Sequence, residues 1–266
     1  MTSALPTSIP VLVTGASAGI GAEFARQLAD RGHRVVAVAR RLERLEQLAG
    51  EAEQSKGGAV EPLAADLETS RGRAAVAKLL RSTSPWILVN NAGYGTRGRI
   101  ADLDHARERA EVQLNVVAVH ELTLAALPGL VEAGTGGIIN VASIAAFQPL
   151  PFMSTYAATK AFILHFTEAV AYEMRGTGAR VMALCPGPVR TEFHDNAGTN
   201  DYMELVRGMS AHRCVAKALK AFDRGHAVCI PGALNTVVAQ GPRLAPRVVV
   251  RRVSGALFSP RRAASQ

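Results

Sequence analysis

The chain has 266 residues, 48% of them apolar and 20% charged, which supports one sizeable buried core and argues against a disordered chain. Its formal net charge is +8, but Arg243, Arg247, Arg251, Arg252, Arg261 and Arg262 fall within residues 234 to 266, which hold no Asp or Glu. The rest of the chain is therefore close to neutral, and no nucleic-acid partner is expected. Cys185, Cys214 and Cys229 are odd in number and widely spaced, with no C-x-x-C pair, so they read as reduced thiols without a metal.

Apolar runs and breakers predict strands near 9–14, 34–39, 59–64, 86–90, 137–142, 179–185 and 226–230, with helices between them. This alternation predicts an α/β fold, a single-domain Rossmann-type sheet of about seven parallel strands with helices on both faces. The expected domain spans 9–233. A short extension at 1–8 precedes it, and a basic segment at 234–266 follows, expected to pack on the domain or on a partner subunit. Residues 1–8 read as dispensable and lack the pattern of a secretory signal, so a cytoplasmic location is expected. The stretch from Ala133 to Thr159 carries no acidic or basic residue, but its glycines and prolines make it a strand and a loop rather than a membrane span.

The first strand runs straight into Thr14-Gly15-Ala16-Ser17-Ala18-Gly19-Ile20-Gly21. A strand, a glycine turn and a helix in that order present free backbone N–H groups and a helix dipole to a pyrophosphate, so a dinucleotide is the expected guest. The second strand ends without the Asp or Glu that would bond the adenosine ribose of NAD, and Arg40 and Arg41 follow it. A guanidinium there suits a 2′-phosphate, although both arginines would also serve to open a solvated helix over 41–53. Asp66, just past the third strand, reads alone as a helix N-cap. Asn90-Asn91-Ala92-Gly93 closes the fourth strand, and as a bare pattern is good turn chemistry. Asn115 sits in an apolar helical run, where asparagine is a poor helix former. Ser143 ends the fifth strand. Tyr156 and Lys160, four residues apart at the start of the helix predicted over 154–175, share one face. An ammonium held near the phenol would favour its ionised form and lower its pKa.

Together these motifs and Pro186-Gly187, in this order, resemble the short-chain dehydrogenases/reductases from about Ile9 to Pro231. The resemblance implies an oxidoreductase that moves hydride between a nicotinamide and a carbonyl or secondary alcohol, with NADP(H) preferred over NAD(H). It assigns Tyr156 the acid–base role and Lys160 a bond to the nicotinamide ribose. Ser143 is assigned the substrate oxygen, and Asn115 a water leading to solvent. The implied cofactor contacts are Gly15, Ser17, Ala18, Gly19, Ile20, Gly21, Arg40, Arg41, Asp66, Leu67, Asn91, Ala92, Gly93, Tyr156, Lys160, Pro186, Gly187, Val189 and Thr191. Ser143 as a turn cap and Asn115 as a buried structural residue are the alternatives. The other functional reading is a non-catalytic dinucleotide-binding redox sensor.

Two apolar segments flank the expected site, 144–155 with Phe147, Leu150, Phe152 and Met153, and a lid after Thr191 with Phe193, Tyr202, Met203, Leu205 and Met209. They suit an apolar carbonyl substrate, or pack under the lid or at a subunit interface. Over 247–257 a helical projection sets Val249, Val250, Val253 and Leu257 on one arc. Packing is the expected use of that face, contact with an anionic membrane surface the alternative. A homodimer or homotetramer is expected from the resemblance.

Overall fold

In this computed structural model, which describes residues 4–55, 57–82, 85–206 and 208–259, the predicted strands form one sheet. Strand β1 (Val11–Thr14) leads through the glycine turn to α1 (Gly19–Asp30), and β2 (Val35–Ala39) leads to α2 (Leu42–Gln54). Next come β3 (Val60–Ala64), α3 (Ser70–Ser82) and β4 (Ile87–Asn90). A continuous helical stretch follows as α4 (His105–Val112), a π-helical segment (Gln113–Ala118) and α5 (Val119–Ala133). Then come β5 (Gly137–Val141), α6 (Ser154–Glu173) and β6 (Arg180–Leu184). The remainder is β7 (Val189–Arg190), α7 (Phe193–Ala197), α8 (Asn200–Leu205), β8 (Met209–Ser210), α9 (Ala211–Asp223), β9 (Val228–Cys229), α10 (Ala233–Gln240) and α11 (Arg247–Phe258).

The sheet order is β3-β2-β1-β4-β5-β6-β9, every neighbouring pair parallel. Winding reverses between β1 and β4, and the crevice at such a reversal, beyond the carboxyl ends of the strands, is where open α/β sheets bind ligands. Every residue of β1, β2, β4 and β5 is buried. Helices cover both faces, so these strands read as continuous apolar runs instead of alternating. β3 is one of the two edge strands, and it alone in this sheet carries a proline, the exposed Pro62.

Two cores lie on the two faces. Val11, Val13, Phe24, Leu28, Leu45 and Phe222 fill one, and Leu12, Val36, Leu80, Trp86, Leu122 and Ile138 fill the other. The helical stretch His105–Ala133 holds an 18-residue window with a mean hydropathy of 1.6, and by length and composition alone is apolar enough to cross a membrane. Here it lies on the sheet, with Ala118, Leu122, Ala126 and Leu130 buried. Within the short N-terminal extension Leu5 is buried in the core, whereas residues 4 and 6–8 are exposed. The small β7–β8 pair was not foreseen, because two-residue strands carry no periodicity.

Candidate active site

Asn91 and Thr14 fasten the glycine turn to the end of β4. The Asn91 amide donates to the carbonyls of Thr14 (3.0 Å) and Gly15 (3.3 Å). The Thr14 hydroxyl accepts from the backbone N–H groups of Asn91 and Ala92 at 2.9 and 3.0 Å. Gly15 has φ of +66°, and a Cβ on Gly21 would stand 2.2 Å from the Gly15 carbonyl oxygen. Gly21 thus lets helix and turn pack, and does not line the cleft itself. Ala18 caps α1 without a side-chain bond, so the first turn has no side-chain partner for its N–H groups. Gly15, Ser17, Ala18, Gly19 and Ile20 line a cleft of about 920 Å³. A helix N-terminus left uncapped and facing such a cleft fits a pyrophosphate.

The same cleft is lined by Arg40, Arg41, Asp66, Leu67, Asn91, Ala92, Gly93, Ser143, Tyr156, Lys160, Pro186, Gly187, Val189 and Thr191. Asp66 also accepts from the Glu68 N–H at 3.0 Å, the local bond foreseen for it, although the helix starts later, at Ser70. Asn90 points the other way. Its amide bonds Thr123 and Asn140, and Asn140 bonds Thr167, a buried chain that joins β4, β5, α5 and α6.

Both arginines are engaged by carboxylates. Arg40 pairs with Glu68 at 2.9 Å. Arg41 donates to the Ser17 hydroxyl at 3.0 Å and to Glu192 at 3.1 Å, and Arg44 also holds Glu192. The arginines hold the Glu192 carboxyl below the usual carboxylate range. Arg44 and Glu192 were not foreseen, since a pair 148 residues apart in sequence leaves no local pattern.

Tyr156, Lys160 and Ser143 meet at the inner end of the cleft. The N-terminal turns of α6 carry Tyr156 and Lys160, and the end of β5 carries Ser143. Ser143 stands with Tyr156 in the cleft lining, and its hydroxyl accepts from the Ala145 N–H at 3.1 Å, so the capping role and a place in the site coexist. The buried Lys160 ammonium donates to the Val141 carbonyl at 2.8 Å and lies 5.8 Å from the Tyr156 ring centroid. The lowering of the phenol pKa by this ammonium is not realised here. Burial dominates and pushes Tyr156 up to about 12, while desolvation pulls Lys160 down to about 8. The ammonium donates to a backbone carbonyl, and desolvation is the largest influence on both groups.

Asn115 lies outside the cleft lining, inside the π-helical segment. Its amide donates to the Tyr94 carbonyl (2.8 Å) and the Thr159 hydroxyl (3.1 Å), and its Oδ1 accepts from the Tyr94 N–H. The structural alternative describes its side chain, which pins the β4–α4 loop against α6. The π-turn marks the asparagine as a departure from regular helix, a frequent sign of a functional position.

The predicted lid folds as α7 and α8 and closes the cleft from above. Phe193 stacks obliquely on Tyr156 with centroids 5.3 Å apart, and Tyr202 meets Phe258 at 4.9 Å. Val238, Leu257 and Phe258 from the C-terminal segment complete the lining. On the foreseen face of α11, Val250 is buried together with Ser254, whereas Val249, Val253 and Leu257 are about half exposed in the single chain. Arg97, with a side chain 5% exposed, ties this roof together through Asp201 and the carbonyls of Gly198, Phe258 and Ser259. Arg261 and Arg262 lie outside the described residues.

Residues 10–201 match the family model for short chain dehydrogenase. An "Uncharacterized oxidoreductase" of Myxococcus xanthus is 36% identical over 219 residues, 81% of this chain and 84% of that protein. A short-chain dehydrogenase from Sphingobium yanoikuyae, solved in complex with NADPH, superposes with a TM-score of 0.82 at 35% identity, covering 97% of this chain and 98% of the other. The bulky-bulky ketone specific alcohol dehydrogenase from Comamonas testosteroni superposes with a TM-score of 0.78 at 31% identity, covering 98% of both chains. With the sheet order and the gathered site residues already in place, these matches show that the chain belongs to the short-chain dehydrogenase family.

Proposed function

We propose that this protein is an NADP(H)-dependent reductase of apolar, bulky carbonyl compounds, able to run in reverse on the secondary alcohol. The observation that carries the reading is the meeting of Ser143, Tyr156 and the buried Lys160 in one cleft with Arg40 and Arg41. The bound nicotinamide supplies the hydride. Tyr156 gives its phenolic proton to the carbonyl oxygen while Ser143 holds that oxygen in place. Burial keeps the phenol protonated at neutral pH, the form that carbonyl reduction needs.

The cofactor preference rests on the two guanidinium groups at the cleft and on the absence of an acidic residue at the end of β2. The NADPH complex of the Sphingobium relative agrees with it. The substrate class rests on the apolar roof of Leu150, Met153, Phe193, Leu257 and Phe258, and on the bulky ketones named for the Comamonas relative. The homodimer or homotetramer is supported by apolar side chains left exposed on the long helices, Val112, Leu124 and Val131 with Phe162. Three buried free thiols suit a reducing, cytoplasmic setting. A non-catalytic sensor would have no use for an intact Ser143–Tyr156–Lys160 group in the cleft. The test is consumption of NADPH and of NADH with ketones graded in bulk. The reading expects NADPH turnover rising with apolar bulk, and equal use of both cofactors or turnover of small polar carbonyls alone would overturn it.

A further inference from the structure

Behind Tyr156 and Lys160 lies a polar cluster that the reaction as described does not use. Thr96, from the loop after β4, hydrogen bonds two carboxyl groups of α4, Glu108 Oε1 and, at 3.0 Å, Glu111 Oε2. Glu108 Oε2 also receives the hydroxyl of Thr155, the residue before Tyr156. Glu111 is fully buried, and its Oε1 has no hydrogen-bond partner. A hydroxyl carries a single proton. Thr96 can donate to one of these carboxyl groups only, so the other must itself donate to the Thr96 oxygen and must hold a proton. Glu108 faces a hydroxyl at each of its oxygens, Thr96 at Oε1 and Thr155 at Oε2. Oε1 of the fully buried Glu111 has no partner among the described residues, so the shared proton is assigned to Glu111, and the chain runs from the Glu111 carboxyl to Thr96 to Glu108.

We propose that Glu111 is a positioning residue of the active site: a buried carboxyl that takes its proton through Thr96 and that, once ionised, keeps the Lys160 ammonium charged. The proposal rests on the reductase reading for its kinetic consequence, though not for the protonation itself. Burial, with the charge of Glu108 adding to it, raises Glu111 to about 7, and Thr96 and Lys160 pull against that rise. Lys160 is drawn down by desolvation and held up by Glu111, so a negative charge at position 111 opposes the loss of the ammonium above neutrality. The titratable and charged groups around Glu111 come from three elements: Glu108 of its own helix, Tyr156 and Lys160 of α6, and Tyr94 of the loop after β4. Tyr94 in turn carries the Arg107 guanidinium 5.7 Å from its ring centroid.

Two measurements test this. Infrared difference titration of the protein alone, wild type against Glu111→Gln, reads the C=O stretch of a protonated carboxyl. The expected result is a band that disappears as pH rises through neutrality in wild type and is missing in the variant; a wild type without such a band overturns the proposal whether or not any ketone is turned over. The pH profile of kcat for NADPH-dependent ketone reduction is the second readout. Glu111→Gln is expected to move the alkaline limb down by about one pH unit with little change on the acid side. Profiles that superpose overturn the coupling to Lys160. Thr96→Val is expected to shift the infrared transition and Thr96→Ser to restore it, which keeps the test decisive if the Gln variant misfolds. A wild type that shows the band yet reduces no ketone would sink the functional reading and leave the protonated carboxyl standing.

Discussion

The floor of the cleft and its roof are held by different forces. The floor consists of the carboxyl ends of β1, β2, β4 and β5, fully buried strands whose register and backbone hydrogen bonds place Gly15, Asn91 and Ser143 without choice. The roof consists of α7, α8 and the C-terminal helices, short or half-exposed elements fastened by a few ionic contacts, among them Arg97 with Asp201 and Arg41 and Arg44 with Glu192. Few buried apolar contacts mean a low local stability, so the roof is the part able to open and admit a substrate. On the proposed function, chemistry is sited on the rigid half and substrate choice on the compliant half, a division that substitutions on each side can test.

On the floor the effects are large and reach catalysis. Tyr156→Phe is expected to lower kcat by about 10² to 10⁴ while NADPH binding, followed by its fluorescence, is retained. Loss of binding in that variant would mean the phenol holds the cofactor and not the substrate. Gly21→Ala places a methyl 2.2 Å from the Gly15 carbonyl oxygen and 2.4 Å from the Asn91 amide nitrogen. The turn must then shift, and the expected outcome is loss of measurable NADPH binding with a cost of about 1 to 3 kcal/mol in unfolding free energy. Next in size, Arg40→Ala and Arg41→Ala are each expected to raise KM for NADPH about tenfold, the worth of one charge-assisted hydrogen bond, and to leave KM for NADH nearly unchanged.

The same division explains what was legible in the sequence. The seven strands of the sheet, the glycine turn, Asp66, Ser143 and the Tyr156/Lys160 pair are all visible because each is fixed by local pattern: a buried apolar run, a turn that needs glycine, two side chains on one helix face. What was hidden depends on contacts between distant segments. Glu192 reaches Arg44 across 148 residues and Arg97 reaches Ser259 across 162, and neither pair has a periodicity to betray it. The Glu108–Thr96–Glu111 cluster was missed for a different reason. Two glutamates at helical spacing read as a solvated face, and only the packing of the loop after β4 and of α6 against them takes them out of water. The depressed tyrosine pKa failed for the same cause, since helical spacing brings a lysine near a phenol but does not reveal that desolvation is the largest influence on both groups.

On the roof the effects shrink and move from kcat to KM. Arg97→Ala removes the bonds to Asp201 and to the last carbonyls of the C-terminal helix. The expectation is a rise of roughly tenfold in KM for bulky ketones with NADPH affinity intact. A fall in NADPH affinity instead would show that roof and floor are coupled more tightly than their contacts suggest.

The smallest expected effect is the most informative about assembly. Val250, 8% exposed, packs α11 onto the body, whereas Val253, one turn on, is 56% exposed. In an isolated chain Val250→Ala should cost about 1 to 2 kcal/mol in thermal unfolding, from the apolar volume lost. Val253→Ala should stay within about 0.5 kcal/mol, as surface substitutions do. If Val253→Ala proves the costlier, and its cost falls away on dilution, the exposed arc of Val249, Val253 and Leu257 is buried in a subunit contact. The roof would then owe its closed form to a neighbouring copy, and substrate entry would depend on the assembly as well as on the Arg97 fastening.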